Sequence, residues 1–317
     1  METPTIIGVS AGVLSVLLAL FFGIRQSTKD SRHAKDIEEI KKMLERLSEE
    51  RGIPIYQDGL PEIPEKKRRK LLRSGLEAMQ EYKYDEAIGF FRECLGVEAA
   101  QSQKVALLIL IGNCYFSESR LKEAEENYKK AEAIARESND KEGLSSALCG
   151  RGIVYRIKGE TDKALEHFQL ALKIHKEIGD REGEANQVGN MGNVYQIKGE
   201  LDKALKHHQL ALKIDRDIGY RQGEADQLGN MGNVYQIKGK LDKALKHHQL
   251  ALKIDREIGH REGEANSLGN MGIVYQIKGE LDKALKHHQL ALKIFEEIGA
   301  AEGIEKMRGL VSKLRQS

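Results

Sequence analysis

The sequence predicts an all-α superhelical solenoid of antiparallel helix pairs, preceded by a single transmembrane helix and a short coiled-coil-like helix. Internal repetition carries the solenoid. Residues 184–223 and 224–263 differ at six positions only: Asn186/Asp226, Val188/Leu228, Glu200/Lys240, Asp217/Glu257, Tyr220/His260 and Gln222/Glu262. A third near-copy runs 264–303 and a more divergent one 144–183. A fixed period of this length marks units that stack on their neighbours and present a long surface rather than one deep pocket. An uncharged run near the N-terminus, Ile6–Ile24, carries the membrane expectation.

Each repeat divides into two helical patterns. In 184–223 the residues Ala185, Val188, Met191, Val194, Tyr195 and Ile197 recur at helical spacing. Leu201, Ala204, Leu205, His208, Ala211, Leu212, Ile214 and Ile218 do the same in the second half. Gly199 separates the two and Gly219 ends the second, where a chain leaving a helix needs positive φ. The short connection makes the helices antiparallel. Gly192 and its equivalents Gly112, Gly152, Gly232 and Gly272 lie inside first helices, where glycine costs about 1 kcal/mol against alanine. Their recurrence implies a facing helix too close for a side chain.

The spacing Gly192, Tyr195, Ala204, Ala211, repeated as Gly152, Tyr155, Ala164, Ala171 and as Gly272, Tyr275, Ala284, Ala291, resembles the tetratricopeptide repeat (TPR) signature. The longer period resembles the Pins/LGN spindle adaptors and, more loosely, kinesin light chains. The aromatic that this family places mid-way along the second helix is Tyr128 and Phe168 early on. It becomes His208, His248 and His288 later. Gly112, Tyr115, Ala124 and Ala131 mark an earlier repeat, and Gly75, Ala87 and Cys94 a degenerate one. The resulting organisation is six repeats (67–103, 104–143, 144–183, 184–223, 224–263 and 264–303) and a capping helix over 304–317.

The first 66 residues form a separate module. After a tail at 1–5, the nineteen residues Ile6–Ile24 lack any charge. As a helix they would just cross a hydrocarbon core of about 30 Å. No positive segment precedes them and no small-residue cleavage site follows, so an uncleaved anchor is expected. Arg25, Lys29, Arg32 and Lys35 all follow the span, which puts the N-terminus outside and the repeats in the cytoplasm. Within 25–50, Ile37, Ile40, Leu44 and Leu47 trace a two-heptad seam that could pair copies through 33–50. Residues 51–66 hold three of the four prolines and read as a linker.

A net charge of +2 with 32% charged residues is balanced, unlike the clustered basic face of a nucleic-acid binder. Cys94, Cys114 and Cys149 have no metal or redox spacing and fit buried free thiols in a reducing compartment. The adjacent histidines His207/His208, His247/His248 and His287/His288 point about 100° apart on a helix and cannot chelate as pairs. One of each pair is expected to be packed and one wet, and the packed row to loosen the last repeats below about pH 6. No nucleophile–base set, phosphate loop or cofactor motif is present, so no enzyme and no cofactor are expected.

The candidate site is a row of amides. Asn190, Asn230 and Asn270 share one position of the first helix; Asn113, Asn193 and Asn233 share another, three residues on; Gln196, Gln236 and Gln276 add a further turn. An amide both donates and accepts, so it can hold a peptide main chain without reading side chains. The resemblance implies that such asparagines grip an extended segment of a partner protein on the inner face. The other reading is that they only solvate the helices. Ile153 and Ile273 interrupt the row.

Overall fold

The computed structural model describes residues 66–96 and 101–316. The expected span at 6–24, the seam at 33–50 and nearly all of the linker lie outside them. No helix among the described residues is long and apolar enough to cross a membrane. Those residues form thirteen helices and no strand. They pair as α1 (Lys66–Gln80) with α2 (Tyr84–Gly96), α3 (Gln101–Ser117) with α4 (Leu121–Glu137), and α5 (Lys141–Ile157) with α6 (Thr161–Ile178). The series continues with α7 (Arg181–Ile197) and α8 (Leu201–Ile218), α9 (Arg221–Ile237) and α10 (Leu241–Ile258), α11 (Arg261–Ile277) and α12 (Leu281–Ile298), and ends on α13 (Ala301–Gln316).

First helices start about three residues before the expected repeat boundaries: α7 at Arg181 rather than 184, and α13 at Ala301 rather than 304. The reason is local. Gly179, Gly219, Gly259 and Gly299 end the second helices at φ between 71° and 76°, a left-handed stop that reverses the chain at once. A single residue then suffices before the next helix. At the α6–α7 junction the Asp180 carboxylate accepts from the Gly183 amide at 2.8 Å, satisfying a free helix-start donor.

The fold divides into two compact units, with the boundary between Asn190 and Met191. In unit 1 each helix packs on the next from α1 to α6. Leu72, Leu76, Met79, Phe91, Val105, Ile109, Cys114 and Tyr128 form its core. Helix α3 is buried on every side from Val105 to Tyr115, in keeping with its all-round apolar sequence. In unit 2, α8 to α13 pack in series. Two apolar clusters fill it, one around Leu205, Leu228, Met231 and Ile254, the other around Leu268, Met271, Phe295 and Met307.

The interior glycines make room for a ring. A Cβ on Gly75 would lie 2.4 Å from the Phe91 ring, one on Gly112 2.6 Å from Tyr128, and one on Gly152 2.6 Å from Phe168. In unit 2 the same notch holds an imidazole: Gly192 against His208, Gly232 against His248, Gly272 against His288, at 2.6–2.7 Å. Any side chain there would force helix and ring apart. Two residues expected on the packed faces are instead exposed, Ile197 at 52% and Ile218 at 39%. Each is the last residue of its helix, where the neighbouring helix has already turned away.

Candidate binding face

First helices of adjacent repeats touch, α3 with α5 in unit 1 and α9 with α11 in unit 2, whereas second helices meet chiefly the first helices on either side. First helices therefore line the inner side of each unit. In unit 2, Asn193, Asn230, Asn233 and Asn270 are half-buried on those helices. Among the described residues their side chains engage no hydrogen-bond partner. Gln196 and Gln236 are half-buried and Gln276 is exposed. A Cβ on Gly229, beside Asn230, would meet nothing within 4 Å, so the backbone there is open to approach.

Two of the expected amides stand apart. Asn113 is 2% exposed, and its Oδ1 accepts the Tyr128 hydroxyl at 2.7 Å. Its role is structural, satisfying the only polar atom on a buried ring. Asn190, in unit 1, is 7% exposed. The position that it shares across repeats is Leu110 and Gly150 earlier in unit 1, so no amide row continues there.

Ile237 and Ile277, each 55% exposed, follow the asparagine positions by one helical turn and extend the inner stripe of unit 2. Sequence periodicity assigns them to the core; their place at the last turn before Gly239 and Gly279 was the signal that they are not. They add an apolar contact to a row of amides.

The histidine pairs divide into a buried row and a more exposed one. His208, His248 and His288 are wholly buried. Nδ1 of His208 donates to Gln227 at 3.0 Å, and its Nε2 has no partner among the described residues. Gln227 becomes Ser267 and Met307 in later repeats, and both nitrogens of His248 and His288 are left unpaired among the described residues. Burial pushes all three rings down to about 4. Their neighbours are not simply wet: His207, His247 and His287 lie 4.7–4.9 Å from the rings of Tyr195, Tyr235 and Tyr275 and donate Nδ1 to a backbone carbonyl one turn back. Among the described residues no three His, Cys, Asp or Glu side chains group to hold a metal ion.

A buried acid escaped the sequence reading. Asp215 is 1% exposed with neither oxygen paired among the described residues, and burial, with Asp226 and Glu224 adding repulsion, pushes it up to about 7. Asp226, half-buried on α9, is likewise pushed up to about 7 by desolvation. One repeat later Asp255 has partners: His260 Nδ1 at 3.2 Å and the Ser267 hydroxyl at 3.3 Å. The signal was available, because Asp215 continues the packed spacing of Ala204, His208 and Ala211.

Comparisons with known proteins bear on this geometry. Residues 103–177 and 223–297 match the sequence profile of the tetratricopeptide repeat. No curated protein sequence matches the chain. The fold is similar to that of BtubC from P. vanneervenii, at 21% identity and a TM-score of 0.53 over 74% of this chain and 91% of that one. It is also similar to NprR in complex with its cognate peptide NprX, at 17% identity and a TM-score of 0.60 over 96% and 83% of the two chains. The apo form of the quorum sensor NprR, from B. thuringiensis, matches at the same TM-score. A signal transduction ATPase with a tetratricopeptide repeat sensor from Pyrococcus horikoshii gives 18% identity and a TM-score of 0.65, over 96% of this chain and 47% of that one.

Proposed function

We propose that the tetratricopeptide repeats of this chain form a non-catalytic adaptor that captures an extended segment of a partner protein. In this reading Asn193, Asn230, Asn233 and Asn270, with Gln196, Gln236 and Gln276, bond the partner's main chain on the inner face of unit 2. Ile237 and Ile277 give an apolar grip. The single observation that carries it is a run of half-buried asparagines without side-chain partners. Asparagine is a poor choice in a helix interior unless its amide is used. Similarity to a peptide-bound solenoid supports the fold's capacity for such a ligand. A second reading, a regulatory sensor whose solenoid responds to a bound peptide, draws on the same likeness.

The anchor belongs to the proposal as well. Residues 6–24 hold the chain in a membrane as a single span, N-terminus outside and repeats in the cytoplasm, and residues 33–50 pair copies of the chain. Removing residues 1–26 should then release the protein from carbonate-washed membranes. Protease added outside intact cells should leave the repeats whole; their digestion would reverse the orientation.

For the inner face, proximity labelling identifies the partner and titration measures it. Each neutral hydrogen bond contributes about 0.5–1.5 kcal/mol net, so the Asn230→Ala, Asn233→Ala pair should weaken binding roughly 10–100-fold. The loss should be the same at low and high salt, since no ions are involved. Equal affinity for wild type and variant would remove the amide row from the site.

A further inference from the structure

The outer side of unit 2 carries a second surface. On α8, Lys206, Leu210 and Lys213 lie at i, i+4 and i+7, along one face. The same triplet recurs as Lys246, Leu250 and Lys253 on α10 and as Lys286, Leu290 and Lys293 on α12. Leu210 is 50% exposed, and Leu250 and Leu290 are each 40% exposed. No acidic residue occurs between Lys203 and Ile214, nor in the equivalent stretches of α10 and α12.

Four of the acids at the ends of these helices are held by basic residues of neighbouring elements, while Asp217, one turn beyond Lys213, and Asp282, one turn before Lys286, are exposed. Lys238 holds Asp202 and Lys278 holds Asp242, both at 2.6 Å; Arg221 holds Glu257, also at 2.6 Å, and Arg261 holds Glu297. Lys253 and Lys293 reach those same glutamates only at 3.8 and 3.9 Å. Lys206, Lys213, Lys246 and Lys286 have no ion-pair partner among the described residues. The charge left facing outward beside the leucines is positive.

Unit 1 is an internal contrast. The equivalent triplet is Glu166, Leu170, Lys173 on α6 and Glu126, Lys130, Ala133 on α4, and α4 adds Glu123, Glu125 and Glu132. The basic and apolar pattern is therefore not a requirement of the fold; it belongs to unit 2.

We propose that the outer face of α8, α10 and α12 docks on an anionic lipid surface. Leu210, Leu250 and Leu290 enter the headgroup layer, and Lys206, Lys213, Lys246 and Lys286 pair with lipid phosphates and carboxylates. Charge complementarity selects an anionic partner. Repetition selects a surface: three copies of one triplet cannot read a sequence, but they match a partner that is alike at every point. Lysines flanking an apolar side chain suit the membrane interface, where the charged ends reach headgroups while the stems stay in apolar contact.

The test uses the full chain with an environment-sensitive fluorophore on Leu250→Cys, bound to phosphatidylcholine vesicles with or without phosphatidylserine. A second sample carries the label on Leu170→Cys. Because the readout is local, membrane attachment by residues 6–24 does not decide it. With phosphatidylserine the label at 250 should shift to the blue and become shielded from an aqueous quencher, and the label at 170 should not. Lys206→Gln, Lys246→Gln and Lys286→Gln together should weaken this contact roughly 100-fold. Melting of the triple variant checks its fold, and added salt on the wild type gives the same answer without a substitution. A label at 250 that stays wet on phosphatidylserine vesicles overturns the proposal, and so does one shielded equally on neutral lipid. The wet outcome would leave an acidic protein as the partner of this face.

Discussion

Unit 1 and unit 2 solve one packing problem with different chemistry. Both leave a glycine notch on the first helix and fill it with a flat ring from the second. In unit 1 the ring is Phe91, Tyr128 or Phe168, and the one polar atom among them is satisfied by Asn113. In unit 2 the ring is His208, His248 or His288, and only His208 finds a partner. The notch selects shape, not composition. The difference teaches that an imidazole can replace a phenyl ring geometrically while making the packing conditional on its staying neutral.

The largest expected effect tests the rings directly. Phe168→Ala should cost about 3–5 kcal/mol, the usual penalty for emptying a large aromatic site. His248→Ala should cost clearly less, because it also removes two buried nitrogens without partners. Denaturant unfolding of each variant, followed by a local probe in each unit, gives both numbers. Equal costs would erase the distinction between the units.

The second effect is pH dependence. The buried histidines titrate near 4 in the fold and near 6.5 in the unfolded chain, so the unfolded chain binds more protons between those values. Stability is intact above about pH 6.5 and falls as the pH drops toward 4, by about 3 kcal/mol for each fully buried ring at the acid end. Hydrogen exchange at about pH 5 against about pH 7 should show unit 2 opening before unit 1. Replacing all three histidines with phenylalanine should flatten the difference; an unchanged profile would show that these rings do not govern it.

Asp215 acts in the opposite sense. Its folded value is raised to about 7 from an ordinary value near 4, so stability is full below about pH 4, is lost as the pH rises from about 4 to about 7, and stays low above that. Asp215→Asn should raise the melting temperature by roughly 10 °C above about pH 7 and leave it unchanged near pH 4. A gain that is the same at both would show that the side chain's shape, not its charge, matters.

The smallest effect concerns turns. Unit 2 places glycine at its left-handed positions, but unit 1 holds Tyr82, Ser119 and Asn139 at φ of 62°, 59° and 55°. Ser119→Gly should therefore stabilise unit 1 by up to about 1 kcal/mol, and Asn139→Gly by less, because asparagine tolerates this conformation. Thermal melts of the two variants rank them.

Much of this was legible in the sequence because repetition multiplies weak signals. One glycine inside a helix says little; Gly112, Gly152, Gly192, Gly232 and Gly272 at one period announced a close approach that the structure places against rings. The helix ends were less legible. Ile197 and Ile218 look like core by spacing alone, and only the turn after them exposes them. Asn113 resembled Asn193 and Asn233 by position, yet its surroundings in α3 and α4 turn it inward, because a buried tyrosine needed an acceptor. Asp215 was missed for the converse reason: a charge at a packed position is not what helical spacing leads one to look for.

The matched clasps of unit 2, Arg221 with Glu257 and Arg261 with Glu297, have a consequence for how the chain finds its structure. A folding segment meets two nearly interchangeable seats, and stacking one repeat out of place would loop out forty residues while still closing good contacts, a recognised hazard of repeat chains. Within 224–263 only a few substitutions, such as Asp226 and His260, tell which seat is right; the last repeat differs more. Phe295 stands where Asp215 and Asp255 stand earlier, and Met307 packs on Gly269, so the C-terminal end accepts one neighbour alone. The cap is thus a register mark, and the fidelity of the whole array should depend on the few residues that break its uniformity.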